Sequence, residues 1–311
     1  MRAIVTGGAG FIGSHLVDAL VARGDEVTVV DNLSSGRRER VNDGARLVEA
    51  DVRDEPAVDE AFEAARPEVC FHLAAQADVR VSVERPGFDA EVNVVGTIRV
   101  LEAARRRDAQ VVLASTGGAV YGECAGPARE GAPRLPLAPY GAAKLAAEEY
   151  LAAYNRLYGS GHVALRYANV YGPRQDPHGE AGVVAIFLGR LARGEELRVF
   201  GDGSQTRDYV YVEDVVAATL AAQGRAGAFN VGTGIETSVV KLADACGRVT
   251  GIEPEVTFED ARAGELQRSV LDPALAEREL GFRARTSLED GLAATWRFVR
   301  KAEGERADGA N

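Results

Sequence analysis

Cysteine is scarce in this chain: three among 311 residues, Cys70, Cys124 and Cys246, far apart, odd in number and in no CxxC pair. That pattern excludes a disulfide framework and a cysteine-ligated zinc site, and it points to a reducing compartment. Histidine is also sparse, and His15, His72, His162 and His178 show no metal-ligand spacing among themselves or with cysteine, so no metal is expected. Positive charge is in deficit, 36 Lys and Arg against 47 Asp and Glu, for a formal net charge of -11. A surface that acidic repels phosphate backbones, which speaks against nucleic acid as a partner. Long apolar runs are missing too; none approaches the roughly 20 residues a membrane span needs. The first strand-like segment, Ala3–Thr6, begins almost at Met1 and leaves no room for a signal peptide. What remains is ordinary: 46% hydrophobic and 27% charged residues describe a globular protein. At roughly 150 residues per domain, the length suggests two domains. The expectation is a soluble cytoplasmic protein with a small-molecule site.

The N-terminal half alternates short β-branched runs with longer helical patterns. Ala3–Thr6, Glu26–Asp31, Arg46–Asp51, Val69–Ala74, Gln110–Ser115 and His162–Arg166 read as strands. Gly13–Arg23, Ala57–Ala65, Asp89–Arg106 and Tyr140–Tyr158 read as helices between them. Such alternation implies an α/β fold, a Rossmann-type doubly wound parallel sheet with right-handed crossovers. After about Ala168 the rhythm breaks. Gly172–Gly182 reads as a loop, followed by a helix at Val183–Arg193, a strand at Leu197–Phe200 and a helix at Val239–Thr250. The expected organisation is a larger domain over 1–167, with part of 208–232 returning to it. A smaller mixed α/β domain is drawn from 168–207 and 233–300, and 301–311 reads as a flexible tail.

The segment Thr6-Gly7-Gly8-Ala9-Gly10-Phe11-Ile12-Gly13 follows a strand and opens a helix, with glycines spaced GxxGxxG. Gly7 permits the tight turn, Gly10 lets a pyrophosphate approach the backbone, and Gly13 lets helix and strand pack closely. Free N–H groups and the positive end of the helix dipole then face the phosphates. A glycine triplet alone is a weak signal. Asp31 strengthens it, because it ends the second strand at the spacing expected of a carboxylate on the adenosine ribose. Its charge would repel a 2′-phosphate, which favours NAD over NADP; Arg37 and Arg38 lie further on, on what reads as a solvated loop. Asp51 and Val52, ending the third strand, are placed to frame the adenine.

Tyr140 and Lys144 stand at i and i+4 at the start of a helical run, so they share one face. The preceding strand ends in Ser115-Thr116, and the ends of such strands are where ligands bind in an open α/β sheet. A free phenol of pKa about 10 is a poor base at neutral pH. An ammonium and a nicotinamide cation nearby stabilise the phenolate. A hydroxyl from Thr116 or Ser115 can orient a substrate alcohol and share its proton. Tyr140 would then remove a proton from a sugar hydroxyl while hydride leaves the same carbon.

At these residues the chain resembles the extended short-chain dehydrogenases/reductases, and within them the UDP-glucose 4-epimerases, over roughly Arg2 to Phe298. The resemblance rests on TGGAGFIGSH at the start, DNLSSG after the second strand, HLAAQ at 72–76 and VYG at 120–122. It continues through YGAAK at 140–144, LRYANVYGPR at 165–174 and RDYVYVEDV at 207–215. It implies a nucleotide-sugar-binding second domain and a reaction in which Tyr140, helped by Lys144, takes the 4-hydroxyl proton while NAD accepts the C4 hydride. The 4-keto sugar turns over and receives hydride on its other face. By the same resemblance Phe11, Ile12, Asn32, Leu73, Ala74, Ala75, Gln76, Asn93 and Tyr167 line the cofactor. Asn169 contacts the sugar or phosphate region, Val183 is a further substrate contact, Val199 and Phe200 flank the uracil, and Arg207 and Arg262 clamp the diphosphate. A guanidinium fork suits phosphate oxygens. A homodimer through the helices Asp89–Arg106 and Tyr140–Tyr158 is also implied.

Departures from the family pattern are informative. The position four before the VYG tyrosine, often serine, is Gly117, so the hydroxyl role moves to Thr116 or Ser115. Gly118-Ala119 stand where 4,6-dehydratases carry an acid and a base, so water elimination lacks its groups. Ser269 stands where a tyrosine restricts some members to non-acetylated sugars, which predicts room for UDP-N-acetylglucosamine and UDP-N-acetylgalactosamine. Within the fold the alternative is a UDP-glucuronate 4-epimerase or decarboxylase, for which Gly117-Gly118 offer only backbone donors. From another class, a non-catalytic NAD-binding regulator has no need of Tyr140, Lys144 and a diphosphate clamp together. His72 reads as packed, and Glu148-Glu149 as a solvated face.

Overall fold

The apolar runs become strands because both faces of each are covered: Ile4, Val5, Val29, Val30, Phe71 and Leu113 are all at most 1% exposed. The computed structural model describes residues 1–176, 182–261 and 266–308. Its strands are β1 (Arg2–Thr6), β2 (Glu26–Asp31), β3 (Arg46–Glu49), β4 (Val69–His72), β5 (Gln110–Thr116), β6 (Val163–Tyr167) and β7 (Asn169–Tyr171). They continue with β8 (Leu197–Phe200), β9 (Thr206–Tyr211), β10 (Gly227–Val231), β11 (Glu236–Ser238), β12 (Val256–Glu259) and β13 (Arg268–Ser269). One parallel sheet of seven strands runs in the order β10-β6-β5-β4-β1-β2-β3. Leu16, Leu20 and Phe229 belong to one core on this sheet and Phe62, Val100 and Leu101 to another. This is the Rossmann-type doubly wound α/β fold. The strand order reverses between β1 and β4, and the crevice beyond the carboxyl ends of the strands at that point is where such sheets bind ligands.

The later residues build two further sheets. β9 pairs with β7 and β13 in parallel and with β11 antiparallel, while β8 and β12 form a parallel pair. Phe187, Leu188, Leu197, Val199 and Leu242 close a third core between these strands and the helices Val183–Ala192 and Val239–Thr250.

Several boundaries differ from expectation. β3 ends at Glu49, leaving Asp51 on the following turn, and the helix after it starts at Glu55, capped by the Asp54 carboxylate on Ala57 N–H at 3.2 Å. The helix expected from Asp89 starts at Pro86, and Glu91–Val95 form a π-helical turn before Gly96–Arg105 continues. The helix Leu288–Asp308 runs through most of the segment read as a tail from residue 301. Ala, Glu, Lys and Arg are strong helix formers, and Leu292 and Val299, 0% and 8% exposed, anchor that helix on the third core. Among the described residues no helix is long and apolar enough to cross a membrane.

Candidate active site

The glycine turn is built for close approach. Gly7 sits at φ +71°, and a Cβ there would lie 2.6 Å from the Ala74 backbone nitrogen. At Gly13 a Cβ would lie 2.1 Å from the Gly7 carbonyl oxygen, so helix Phe11–Ala22 meets the turn only with glycine at that place. Gly10 differs: within 4 Å its Cβ would meet the Gly7 oxygen alone, at 3.1 Å. The space beside it is a cradle that a side chain would fill, at a helix N-terminus that no side chain caps. Asp31, 7% exposed, accepts from Ala9 N–H and Leu33 N–H at 2.9 Å each. Gly36 keeps its surroundings open, since a Cβ there would come within 2.8 Å of Asp31 Oδ1. Arg37 and Arg38 are exposed and reach Asp176 and Glu49 at 3.8 and 2.6 Å. These features fit a dinucleotide whose ribose carries free hydroxyls.

At the far end of that groove Asn32 donates to Asp51 at 2.8 Å, and Arg53 holds the same carboxylate well below its usual range. Val52 is buried under Gly96, whose Cβ would come within 2.8 Å of it. At the switch point, the Thr6 hydroxyl and His72 Nδ1 share a hydrogen bond of 2.6 Å, and His72 Nε2 meets the Thr97 hydroxyl at 3.0 Å. Burial pushes His72 down to about 3, so it is a neutral packing residue. Leu73 and Ala74 N–H bond back to Thr6. Gln76 and Asn93 clasp each other, Gln76 N–H to Asn93 Oδ1 at 3.1 Å and Asn93 Nδ2 to Gln76 O at 2.9 Å. Asn93 thus fixes the loop containing Ala75 and Gln76. Tyr167 is turned into the core, its hydroxyl 2.8 Å from that of Thr219.

Tyr140 lies in the first turn of helix Pro139–Tyr158 and is half-buried. Gly141 brings that turn against the Gly117–Val120 segment: a Cβ there would be 2.8 Å from the Ala119 carbonyl oxygen. Lys144 is 4% exposed, and its Nζ donates to Ala114 O on β5 at 3.0 Å. Burial pushes its ammonium down to about 8, against the attraction of Asp89 and Glu148. Two residues further along β5 comes Thr116. Around Gly118 three polar groups converge. A Cβ at that position would lie 3.5 Å from Asn169 Oδ1, 3.8 Å from Thr116 Oγ1 and 3.9 Å from Ser269 Oγ.

Ser115 faces away from this group. Its hydroxyl donates to Glu148, which is 4% exposed and takes three hydrogen bonds from Arg166, itself 3% exposed. The reading of Glu148 as a solvated residue is therefore corrected; Glu149 beside it is exposed and pairs with Arg134 at 2.6 Å. Leu271 fills the space beside Gly117: a Cβ there would come within 2.5 Å of its terminal methyl, so a serine would enter only with a shift of that side chain.

The small sheet gathers the other candidates. Ser269 pairs in register with Arg207, and Asn169 with Tyr209. Arg207 donates to the Thr206 and Leu266 carbonyls at 2.8 Å each. Val199 is fully buried while Phe200 after it is half-buried, and Val183 opens its helix. Arg262 and His178 lie outside the described residues. Gly36 and Gly141 lie inside the DNLSSG and YGAAK motifs, but their steric roles depend on contacts that the motifs do not carry; Gly118, read only as a missing acid or base, is also where the three polar groups meet.

Such a layout defines a Rossmann-type protein shaped to hold a dinucleotide beside a tyrosine–lysine pair. The chain belongs to the NAD dependent epimerase/dehydratase family, whose model matches residues 3–232. It is 49% identical over 310 residues to the UDP-glucose 4-epimerase of Mycolicibacterium smegmatis, covering 96% of this chain and 99% of that one. The UDP-glucose 4-epimerase of Thermotoga maritima, solved with UDP-glucose, superposes with a TM-score of 0.95 at 47% identity, covering 97% of this chain and 100% of that one. That of Thermus thermophilus, solved in complex with NAD, gives 0.93 at 46% identity over the same shares of the two chains.

Proposed function

We propose that the chain is a UDP-glucose 4-epimerase, an NAD-dependent isomerase that interconverts UDP-glucose and UDP-galactose through a transient 4-keto sugar. The observation that carries this reading is the meeting of elements at Gly118. Thr116, Asn169 and Ser269 converge there, beside the helix that bears Tyr140 and buries Lys144 on the same strand as Thr116. The likeness to the M. smegmatis and T. maritima enzymes supports it over almost the whole chain. NAD, held along the Gly7–Gly13 turn, Asp31 and the 73–76 loop, supplies the hydride acceptor and donor at C4. The chain's own groups manage the proton and the orientation. The Tyr140 phenolate takes the proton of the 4-hydroxyl and gives it back, the Lys144 ammonium stabilises that phenolate, and Thr116 orients the alcohol. Asn169, Arg207 and Arg262 hold the sugar and diphosphate; Val183 and Phe200 form the uracil side, while Val199, fully buried in the third core, supports them rather than touching the base. Small residues at Gly118-Ala119 leave a dehydration without its acid and base.

In this reading the large sheet, 1–167 with part of 208–232, carries NAD, and 168–207 with 233–300 carries the nucleotide sugar. The enzyme serves galactose metabolism in the cytoplasm as a homodimer; Tyr150, Leu157 and Tyr158, exposed at 44%, 72% and 53%, support pairing through helix Pro139–Tyr158. The deciding experiment is incubation of NAD-loaded protein with UDP-galactose. Formation of UDP-glucose is expected, and its absence with binding intact would favour the non-catalytic regulator.

Asp31→Asn should weaken NAD binding about tenfold or more. It removes a charged acceptor, whose hydrogen bonds are worth about 1.5–3 kcal/mol, and sets an amide donor against Ala9 N–H or Leu33 N–H. Titration with NADH fluorescence reads this, and unchanged affinity counts against the ribose role. Ser269 and Gly118 favour a second activity on the N-acetylated pair of substrates, because neither fills the space near Asn169. Ser269→Tyr should cut turnover of UDP-N-acetylglucosamine by about tenfold or more while sparing UDP-glucose. Equal losses on both would remove Ser269 as the determinant.

A further inference from the structure

Asp89 has no part in the chemistry above, yet it is 0% exposed. It lies in helix Pro86–Ala90, directly before the π-helical turn Glu91–Val95, a feature that recurs in helices at functional sites. Its two oxygens differ. Oδ1 accepts from Gln76 Nε2 at 2.8 Å and from Asn93 Nδ2 at 3.0 Å. Oδ2 is buried with no hydrogen-bond partner among the described residues. An unpaired buried carboxylate oxygen is costly, and its retention calls for an explanation.

Lys144 offers one. The helix bearing Asp89 packs on the helix bearing Lys144. Of the two carboxylates that hold this ammonium charged against burial, Asp89 has the stronger effect. Glu148, the other, is matched by the charged Arg166 fork. The two donors on Asp89 are neutral amides, so its charge is left for Lys144. Burial pushes the Asp89 carboxyl up, and the hydrogen bonds from Gln76 and Asn93, with the charge of Lys144 added, act against that push. The other nearby groups are not free to replace it. His72 is neutral between Thr6 and Thr97, Asp78 pairs with Arg80 at 3.2 Å, and Tyr140 lies one turn before Lys144.

We propose that Asp89 is a positioning residue for the reaction: its buried carboxylate, fixed by Gln76 and Asn93, keeps Lys144 charged and so governs the proton affinity of Tyr140. The inference rests on the epimerase reading, since that charge matters to turnover only where Tyr140 ionises. The Gln76–Asn93 clasp then has a second use, because the same bonds that shape the cofactor loop aim the carboxylate.

The chain's lysines make this measurable. There are three, Lys144, Lys241 and Lys301, and the latter two are exposed. NMR of NAD-loaded protein with lysine labelled at Cε therefore gives Lys144 a distinct resonance. Asp89→Asn retains an oxygen acceptor for Gln76 and Asn93 but carries no charge. The Lys144 midpoint should fall by about one pH unit or more, and the alkaline limb of kcat should fall with it while KM holds. Asp89→Ser, also neutral, is read in the same way where the asparagine variant does not fold. Asp89→Glu, which restores the charge, should return the limb toward the wild-type position. A Lys144 midpoint unchanged in a folded neutral variant overturns the proposal. Full turnover by Tyr140→Phe would instead sink the epimerase mechanism while leaving the effect of Asp89 on the Lys144 titration standing.

Discussion

Tyr140→Phe should lower kcat for UDP-galactose roughly 100- to 10,000-fold, the range removed with a general acid–base group, while NAD stays bound and KM changes little. The ring is half-buried in the first turn of its helix, where phenylalanine fits the same space. Only the phenolic oxygen is lost. Lys144 makes that oxygen useful at neutral pH, because an ammonium taken out of water acts on a neighbouring charge through a low-dielectric surrounding. The same burial sets a limit. With the ammonium pushed down to about 8, the proton on Lys144 is present below that pH and lost as pH rises through it. Stabilisation of the phenolate is lost in the same interval, so wild-type kcat should decline on the alkaline side with a midpoint near 8. A coupled assay of UDP-galactose conversion across pH checks both statements. A phenylalanine variant with wild-type turnover overturns the role of Tyr140, and a rate flat through the alkaline range overturns that of Lys144.

Much of this layout is legible from residue types because it depends on local patterns. β2, β8 and helix Val239–Thr250 have the boundaries that their apolar runs suggest. The glycine turn is legible because the backbone itself requires it: no side chain fits at Gly13 beneath the Gly7 carbonyl. What stayed hidden depends on contacts between distant segments. Ser115 and Thr116 look alike as neighbouring hydroxyls. Strand alternation sends one toward Glu148 and leaves the other near Asn169 and Ser269, residues about 50 and 150 positions further on. Glu148 carried a signal that a charge reading overrides, since it lies at i+4 from Lys144 and so shares the helix face given to the Tyr140–Lys144 pair. Asp89 carried none; an isolated aspartate on a helix is ordinary until its neighbours are known.

Glu148→Gln should be the most destabilising of these changes, by about 3–5 kcal/mol, the loss found when one partner of a buried ion pair is removed. The carboxylate receives three hydrogen bonds from Arg166 and one from Ser115. Arg166 also donates to the Tyr121 hydroxyl at 2.8 Å, which in turn donates to Asn230 at 2.7 Å. Asn230 continues the chain to Ala128 O, and the Ala128 N–H bonds to Val270 O, next to Ser269. One charge pair thus braces β5, β6, β10 and the catalytic helix, and reaches the segment bearing Ser269. Glutamine presents its amide group to a guanidinium that burial already disfavours, and Arg166 is left uncompensated at 3% exposure. The urea midpoint of the NAD-loaded protein should drop accordingly. Replacing both partners with apolar residues, Glu148→Leu with Arg166→Met, should recover much of the loss, because desolvation of two charges offsets most of their attraction. A double variant no more stable than Glu148→Gln would mean that the hydrogen bonds to Ser115 and Tyr121, rather than the charge pair, hold these elements together.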